Sequence, residues 1–115
     1  MSDRINSIHD LIKDRLKVNV TFRVNPIVSV IGTTSTMIAR RDVKRLAIVI
    51  TNLSSNDMYI MPDAAASPSS GIYLAPSGGS VTFYYNEDFI LPACEWYAVA
   101  SAVSSNIMVI ETCLV

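Results

Sequence analysis

The sequence predicts a mainly β fold: an antiparallel β-sandwich of the jelly-roll type, with about eight short strands and a short N-terminal amphipathic helix. From Val18 onward apolar and polar residues alternate with a period of two, as in half-buried strands. Turn-forming residues recur about every 8–12 residues, a spacing typical of sandwiches and barrels. With 115 residues, 50% of them apolar, the chain can bury a sizeable core. We predict a helical arm over residues 1–17 and a β-sandwich domain over residues 18–115.

The helix is predicted over residues 2–16. Ile5, Ile8 and Ile12 follow helical spacing, and basic residues gather near the C-terminal end, where the helix dipole favours them. A helix of this length is too short to be stable alone. It must pack on its own domain, bundle with copies of itself or insert into a partner; we favour the first and leave the others open.

Four strands are predicted before the middle of the chain, over residues 18–24, 27–31, 34–39 and 43–51. Asn25-Pro26 and Gly32 separate the first three. The fourth is apolar on both faces in its centre, which predicts a central strand covered on both sides.

Five more strands follow, over residues 58–62, 71–76, 80–85, 95–101 and 107–115. Short polar or glycine-containing links predict three hairpins, each joining a strand to the next: the fourth to the fifth, the sixth to the seventh, and the eighth to the ninth. The Ser-rich segment 63–71 is predicted to be a surface loop, and residues 86–94 a connection containing Pro92.

Charge is distributed unevenly along the chain. Residues 1–45 hold all nine Lys and Arg with four acids, whereas residues 46–115 hold six acids and no base. The N-terminal part could therefore dock on an acidic surface, including a neighbouring copy's C-terminal part. The alternative, neutralisation within one fold, stays equally open.

We predict docking through two groups of side chains, an apolar stripe on the helix and a basic edge before the central strand. Together these comprise Ile5, Ile8, Ile12, Arg40, Arg41, Lys44 and Arg45. An edge of this kind can bind an acidic partner or simply guard a sheet edge against aggregation.

The sequence offers no catalytic constellation, and we expect no enzyme, no cofactor and no metal site. His9 is the single histidine and falls on the predicted helix, so it cannot form the usual nucleophile–base or zinc arrangements alone. Nucleic-acid binding is not expected, because phosphate contacts need Lys and Arg. No apolar run approaches membrane-spanning length, and the first residues lack a signal-peptide core, so we expect neither a membrane partner nor export.

Cysteines and aromatic residues allow two further hypotheses. Cys94 and Cys113 are expected to be buried thiols, with a disulfide as the alternative. The second hypothesis is a sugar-binding platform formed by aromatic side chains, although aromatics on strands more often pack in the core. The residues concerned are Tyr73, Tyr84, Tyr85, Trp96 and Tyr97.

The order of features from Arg45 to Glu111 resembles small β-rich virion proteins of tailed bacteriophages, including head decoration (cement) proteins. It runs "RLAIVITNLSSNDMYIMP", "GIYLAPSGGSVTF", "EWYAVAS" and "IMVIE". The resemblance implies a non-enzymatic homo-oligomer, with a trimer favoured. Such a protein is assembled in the host cytoplasm, binds the major capsid protein on the outer capsid surface and reinforces capsomer contacts. A carbohydrate-binding module and a tail or neck component remain the alternatives.

Overall fold

The computed structural model describes residues 7–16, 18–24 and 30–115 of the chain. These residues form two short α-helices, a single 3-10 turn and nine β-strands. In chain order the elements are α1 (Ile8–Leu16), β1 (Val20–Val24), β2 (Val30–Ile31), β3 (Thr36–Ala39), β4 (Arg45–Asn52), β5 (Met58–Pro62), β6 (Ile72–Leu74), β7 (Ser80–Tyr84), α2 (Tyr85–Asp88), the 3-10 turn Leu91–Ala93, β8 (Trp96–Ala100) and β9 (Ser105–Leu114).

The strands form two antiparallel sheets. The first sheet has the order β1-β9-β4-β7, with β2 pairing to the beginning of β9. The second sheet has the order β3-β8-β5-β6. The predicted antiparallel β-rich fold is confirmed, and the strand order is consistent with a jelly roll.

The three predicted hairpins are wrong. The links from β4 to β5, from β6 to β7 and from β8 to β9 each cross from one sheet to the other. Of the described strands, β5 and β6 are the consecutive pair that hydrogen-bond directly to each other. Alternation of apolar residues specifies which face of a strand is buried, but it carries no information about which strand lies alongside.

The prediction that the strand around residues 43–51 is central is confirmed. β4 lies between β9 and β7, and its inward-facing Ile48 and Ile50 are fully buried. Trp96 of the second sheet stacks on Phe83 of the first, with ring centroids 4.8 Å apart. This aromatic pair joins the two sheets through the core, where burial of large apolar side chains is the main stabilising term.

Helix α1 begins at Ile8 in the structure, and the predicted residues before Ser7, including Ile5, lie outside the described part of the chain. Ile8 is 63% exposed, while Leu11 and Ile12 are partly buried. Within the described residues α1 makes no extensive contact with any other element, and the molecule measures 57 × 24 × 22 Å. The packing of the helix on its own domain that we favoured is therefore not observed.

The turn between β6 and β7 depends on two glycines. Gly78 has a φ of +110°, which strains any residue with a side chain. At Gly79 an added Cβ would lie 2.3 Å from the carbonyl oxygen of Ala75, much closer than the sum of the van der Waals radii of the two atoms allows. The same turn bonds to the end of β4, because the Gly78 amide donates to the Asn52 carbonyl and the Asn52 amide to the Gly79 carbonyl.

We predict that Gly79→Ala destabilises the fold by about 2 kcal/mol or more, since the clash is with backbone atoms that cannot move aside. Gly32→Ala is the matched control, because nothing lies within 4 Å of its Cβ position. It should change the free energy of unfolding by less than about 1 kcal/mol. Urea denaturation of both variants makes the comparison, and equal stability of the two would contradict it.

Candidate functional site

A buried arginine lies where β4 begins. The Arg45 side chain is 1% exposed, and its Nε donates to Oε1 of Glu111 on the neighbouring strand β9 at 2.6 Å. Its Nη1 donates to the carbonyl oxygens of Pro92 and Cys94, both at 3.0 Å, and its Nη2 donates to the carbonyl oxygen of Arg40. One guanidinium therefore ties together the segment before β4, the 3-10 turn and β9.

Glu111 is fully buried and is shared by two arginines. Its Oε2 accepts from Nε of Arg23 at 3.1 Å, and Arg23 also pairs with Asp42 at 3.1 Å. The hydrogen bond and charge of Glu111 raise the pKa of the Arg23 guanidinium above its ordinary value. The group of Arg23, Asp42, Arg45 and Glu111 thus carries two positive and two negative charges that pair with one another. Its two buried members, Arg45 and Glu111, both have partners, as buried charges require.

The structure removes Arg45 from the predicted docking edge, because its side chain is buried and paired. Arg40, Arg41 and Lys44 are exposed. Residues 42–45 form a turn, closed by the bond from the Arg45 amide to the Asp42 carbonyl. Residues 40–44 lie outside the strands, so they do not alternate between two faces as a strand would. The sequence-based prediction put Arg45 on the exposed docking edge because a charged residue was assumed to face solvent.

The charge asymmetry along the sequence is partly neutralised within the fold. Arg23 and Arg45 pair with Glu111, and Arg41 pairs with Asp63 at 3.2 Å. Each of these ion pairs joins the basic half of the chain to the acidic half. Of the three exposed basic side chains between β3 and β4, Arg40 and Lys44 make no ion pair within the described residues.

Asp42, Glu111 and Cys113 bring their ligand atoms within 4.8 Å of one another, which is close enough for a metal ion. The two carboxylates already accept from Arg23 and Arg45. Burial also raises the pKa of the Cys113 thiol, so it holds its proton at neutral pH. A cation would have to displace two guanidinium groups, and the arrangement is better described as an ion-paired structural cluster.

The five aromatic residues considered for a sugar platform do not lie together. Trp96 is fully buried in the core, and its indole N–H donates to the Leu91 carbonyl. Tyr84 and Tyr85 belong to the first sheet and the helix after it, whereas Tyr73 and Tyr97 belong to the second sheet. Tyr73 instead lies beside Tyr59, with ring centroids 5.5 Å apart, and donates to Asp57 at 2.8 Å.

Two exposed apolar residues in the connection between β7 and β8, whose end is hydrogen-bonded to Asp42 and Arg45, were missed by sequence reasoning. Phe89 and Ile90, 78% and 71% exposed, precede the 3-10 turn to which Arg45 is bonded. Val43, within the basic turn, is 79% exposed. The sequence did contain a signal for this exposure. Two large apolar residues occur in a connection without apolar periodicity, where core residues are not expected. We call this surface, formed by Arg40, Arg41, Val43, Lys44, Phe89 and Ile90, the docking end.

Comparison with known protein families, with curated proteins and with solved structures finds no match. Among the described residues, no helix has both the length and the apolar character needed to cross a membrane.

Arg45→Met should destabilise the protein by about 3–5 kcal/mol, because it leaves the Glu111 carboxylate buried with its closest partner missing. Arg41→Met breaks a pair whose side chains are 58% and 42% exposed and should cost at most about 1 kcal/mol. Chemical denaturation followed by tryptophan fluorescence measures both. Similar losses for the two variants would show that the buried pair has no special role.

Cys94 and Cys113 are free thiols that are 3% and 6% exposed, and burial raises the pKa of both. At pH 8 we expect a disulfide reagent to react slowly with the native protein and rapidly with both thiols in guanidinium. Because the unfolded chain releases these protons first, stability should fall as the pH rises above about 9. Fast reaction of both thiols in the native protein, or constant stability up to pH 10, would contradict this.

Proposed function

We propose that this chain is a non-enzymatic structural protein of a tailed-phage virion, which binds the outer capsid surface as a homotrimer and stabilises capsomer contacts. The observation that carries the proposal is the docking end, where an exposed basic turn is hydrogen-bonded to the end of the connection that carries the exposed Phe89 and Ile90. Surfaces that combine an apolar centre with charged neighbours are typical of protein–protein interfaces. The expected partner is an acidic, partly apolar patch on the major capsid protein.

The buried arginine supports this role by fixing the two halves of the docking end relative to each other. Arg45 bonds to the Arg40 carbonyl on one segment and to the Pro92 and Cys94 carbonyls on the other. The Asp42 amide also donates to the Ala93 carbonyl at 3.0 Å. A surface held in this way loses little conformational entropy on binding, which favours affinity.

Phe89 is the side chain best suited to anchor the contact. Its φ of +56° is unusual for a bulky residue, and its ring is exposed although burial would be favourable. Aromatic anchors at the centre of an interface often supply much of the binding energy. The resemblance of residues 45–111 to virion proteins supports the same assignment independently of this surface.

Capsids of the encoding phage assembled without this protein provide the direct test. The purified protein should bind them, and electron microscopy should locate it on the outer surface at capsomer junctions. Density at the neck or tail instead would favour the alternative tail or neck component. A strictly monomeric protein that fails to bind such capsids would overturn the proposal.

The double variant Arg40→Glu/Lys44→Glu should weaken capsid binding at low salt by at least about tenfold, with a smaller difference at high salt because exposed charges are screened. The charge-preserving pair Arg40→Lys/Lys44→Arg is the matched control and should bind like the wild type. Phe89→Ser should weaken binding at every salt concentration, since its contribution is apolar. Cosedimentation with capsids measures all three, and equal binding by every variant would rule out the docking end.

A carbohydrate-binding module is the second candidate, favoured by the Tyr59–Tyr73 pair. Tyr73 is 52% exposed, and the Asp57 carboxylate lies beside its hydroxyl, so an aromatic face and a hydrogen-bond acceptor occur together. A glycan array probes this directly. Binding that is lost in Tyr73→Ala would support the module, and an array without hits would count against it.

A further inference from the structure

The outer face of the first sheet is uncharged. The inward side chains of β9 are buried at every second position from Ser105 to Cys113, so the alternate residues face outward. Strand register then places the outward residues of β1, β4 and β7 beside them. The outward set is Val20, Phe22, Val24, Ala47, Val49, Thr51, Ser80, Thr82, Tyr84, Asn106, Met108, Ile110, Thr112 and Leu114.

This face has two adjacent rows across the strands. One row runs Val24–Ile110–Val49, and the next runs from Phe22 through the small residues Thr112 and Ala47 to Tyr84. Phe22 is 72% exposed and Val24 58% exposed, although both are apolar. A sheet face in contact with water normally carries polar side chains, so an apolar face of this kind indicates a covering partner.

The outer face of the second sheet differs in its chemistry. Its large side chains include Tyr73 and Tyr97, whose hydroxyls donate to Asp57 and Glu95. Hydroxyl groups with carboxylate partners suit a hydrated surface. The second sheet's apolar outward residues Met37, Met61 and Val99 are partly or fully buried, whereas Phe22 and Val24 of the first sheet are mostly exposed. The first sheet therefore has the larger uncovered apolar surface.

Helix α1 has the complementary properties. Ile8, Leu11 and Ile12 share one side at helical spacing, yet Ile8 is 63% exposed and α1 makes no extensive contact with the described chain. A nine-residue helix spans about 13 Å and needs a surface to remain folded. Four strands of a sheet span about 14 Å, so the helix can lie along one row.

Charge also matches at the end of that row. Arg15 follows Leu11 by four residues and Ile12 by three, so it continues the apolar side of α1. The row that ends at Tyr84 is bordered by Asp88, whose carboxylate accepts from the Tyr84 amide at 3.0 Å, and by Glu87. The Glu87 carboxylate, three residues after Tyr84, raises the pKa of the Tyr84 hydroxyl.

The connection between α1 and β1 favours a helix from another molecule. The Val115 amide donates to the Asn19 carbonyl at 2.9 Å, so the chain is already held in the sheet at Asn19. Two residues, 17 and 18, separate that point from the end of α1. For α1 to cover its own sheet, the chain would have to reverse direction between Leu16 and Asn19. It would also have to move about 10 Å away from the sheet, which is close to the greatest distance that so few residues can span.

We propose that the outer face of the first sheet is covered by helix α1 of a second copy of this chain. The helices act as exchanged arms, with Ile8, Leu11 and Ile12 on the rows and Arg15 near Glu87 and Asp88. This inference rests on the homo-oligomeric part of the proposed function and names the contact that builds the oligomer. It does not depend on capsid binding.

The test mixes two single variants of the full-length protein, Ile12→Cys and Thr112→Cys, and treats them with a short bismaleimide. The native thiols are buried and serve as a common background. A cross-linked band of two chains is expected only when both variants are present. Ile12→Cys mixed with Ser69→Cys, which lies in a loop attached to the second sheet, is the control and should give no such band.

The helix variants supply a second measurement. Ile8→Asp/Ile12→Asp should weaken self-association by at least about tenfold per residue in analytical ultracentrifugation, while circular dichroism shows the sandwich still folded. Lys13→Asp, on the polar side of α1, should leave association intact.

Absence of the two-chain band from the mixture would overturn the exchange. The double variant Ile12→Cys/Thr112→Cys, treated in the same way, should also give two-chain bands, and a cross-link confined to its single chains would overturn the exchange as well. An oligomer that keeps the cross-link but does not bind capsids would contradict the proposed docking instead.

Discussion

The fold depends on the ion pair between Arg45 and Glu111. Both side chains are removed from water. The cost of desolvating them is offset by their mutual pairing, by the carbonyl oxygens around the guanidinium and by Arg23, which donates to Glu111. These directional bonds join β4 to β9 and position the turn before β4 against the 3-10 turn. An apolar pair of similar size could fill the same space, but it would leave the carbonyls of Pro92 and Cys94 without these partners.

The opposite end of β4 is also held by a buried polar residue. Asn52 is fully buried, its side-chain amide donates to the carbonyls of Asn56 and Leu74, and its oxygen accepts from Ser54. Leu74 belongs to the second sheet, so this amide joins the two sheets as the Trp96–Phe83 stack does in the core. The central strand is thereby fixed at both ends by hydrogen bonds and in the middle by burial.

The same bonds determine which surfaces remain for partners. Ion pairs neutralise much of the charge asymmetry along the sequence. Between β3 and β4, Arg40 and Lys44 make no ion pair within the described residues, and Phe89 and Ile90 are exposed in the connection between β7 and β8. A separate, uncharged surface covers the outside of the first sheet. The two surfaces have different chemistry, which fits one partner that is acidic and another that is an apolar helix. The proposed capsid binding and the proposed self-association would therefore use separate surfaces of the molecule.

The sequence by itself determined the β-rich class, the approximate position of most strands and the central place of β4, because period-two alternation and turn residues are local signals. Residues 58–62 were predicted with the observed bounds. The tertiary structure alone decided the crossings between sheets, the burial of Arg45 against Glu111 and the exposure of Phe89. Strand pairing and charge satisfaction depend on residues far apart in the chain, 66 positions for Arg45 and Glu111, and no local pattern encodes which distant partner will be adjacent.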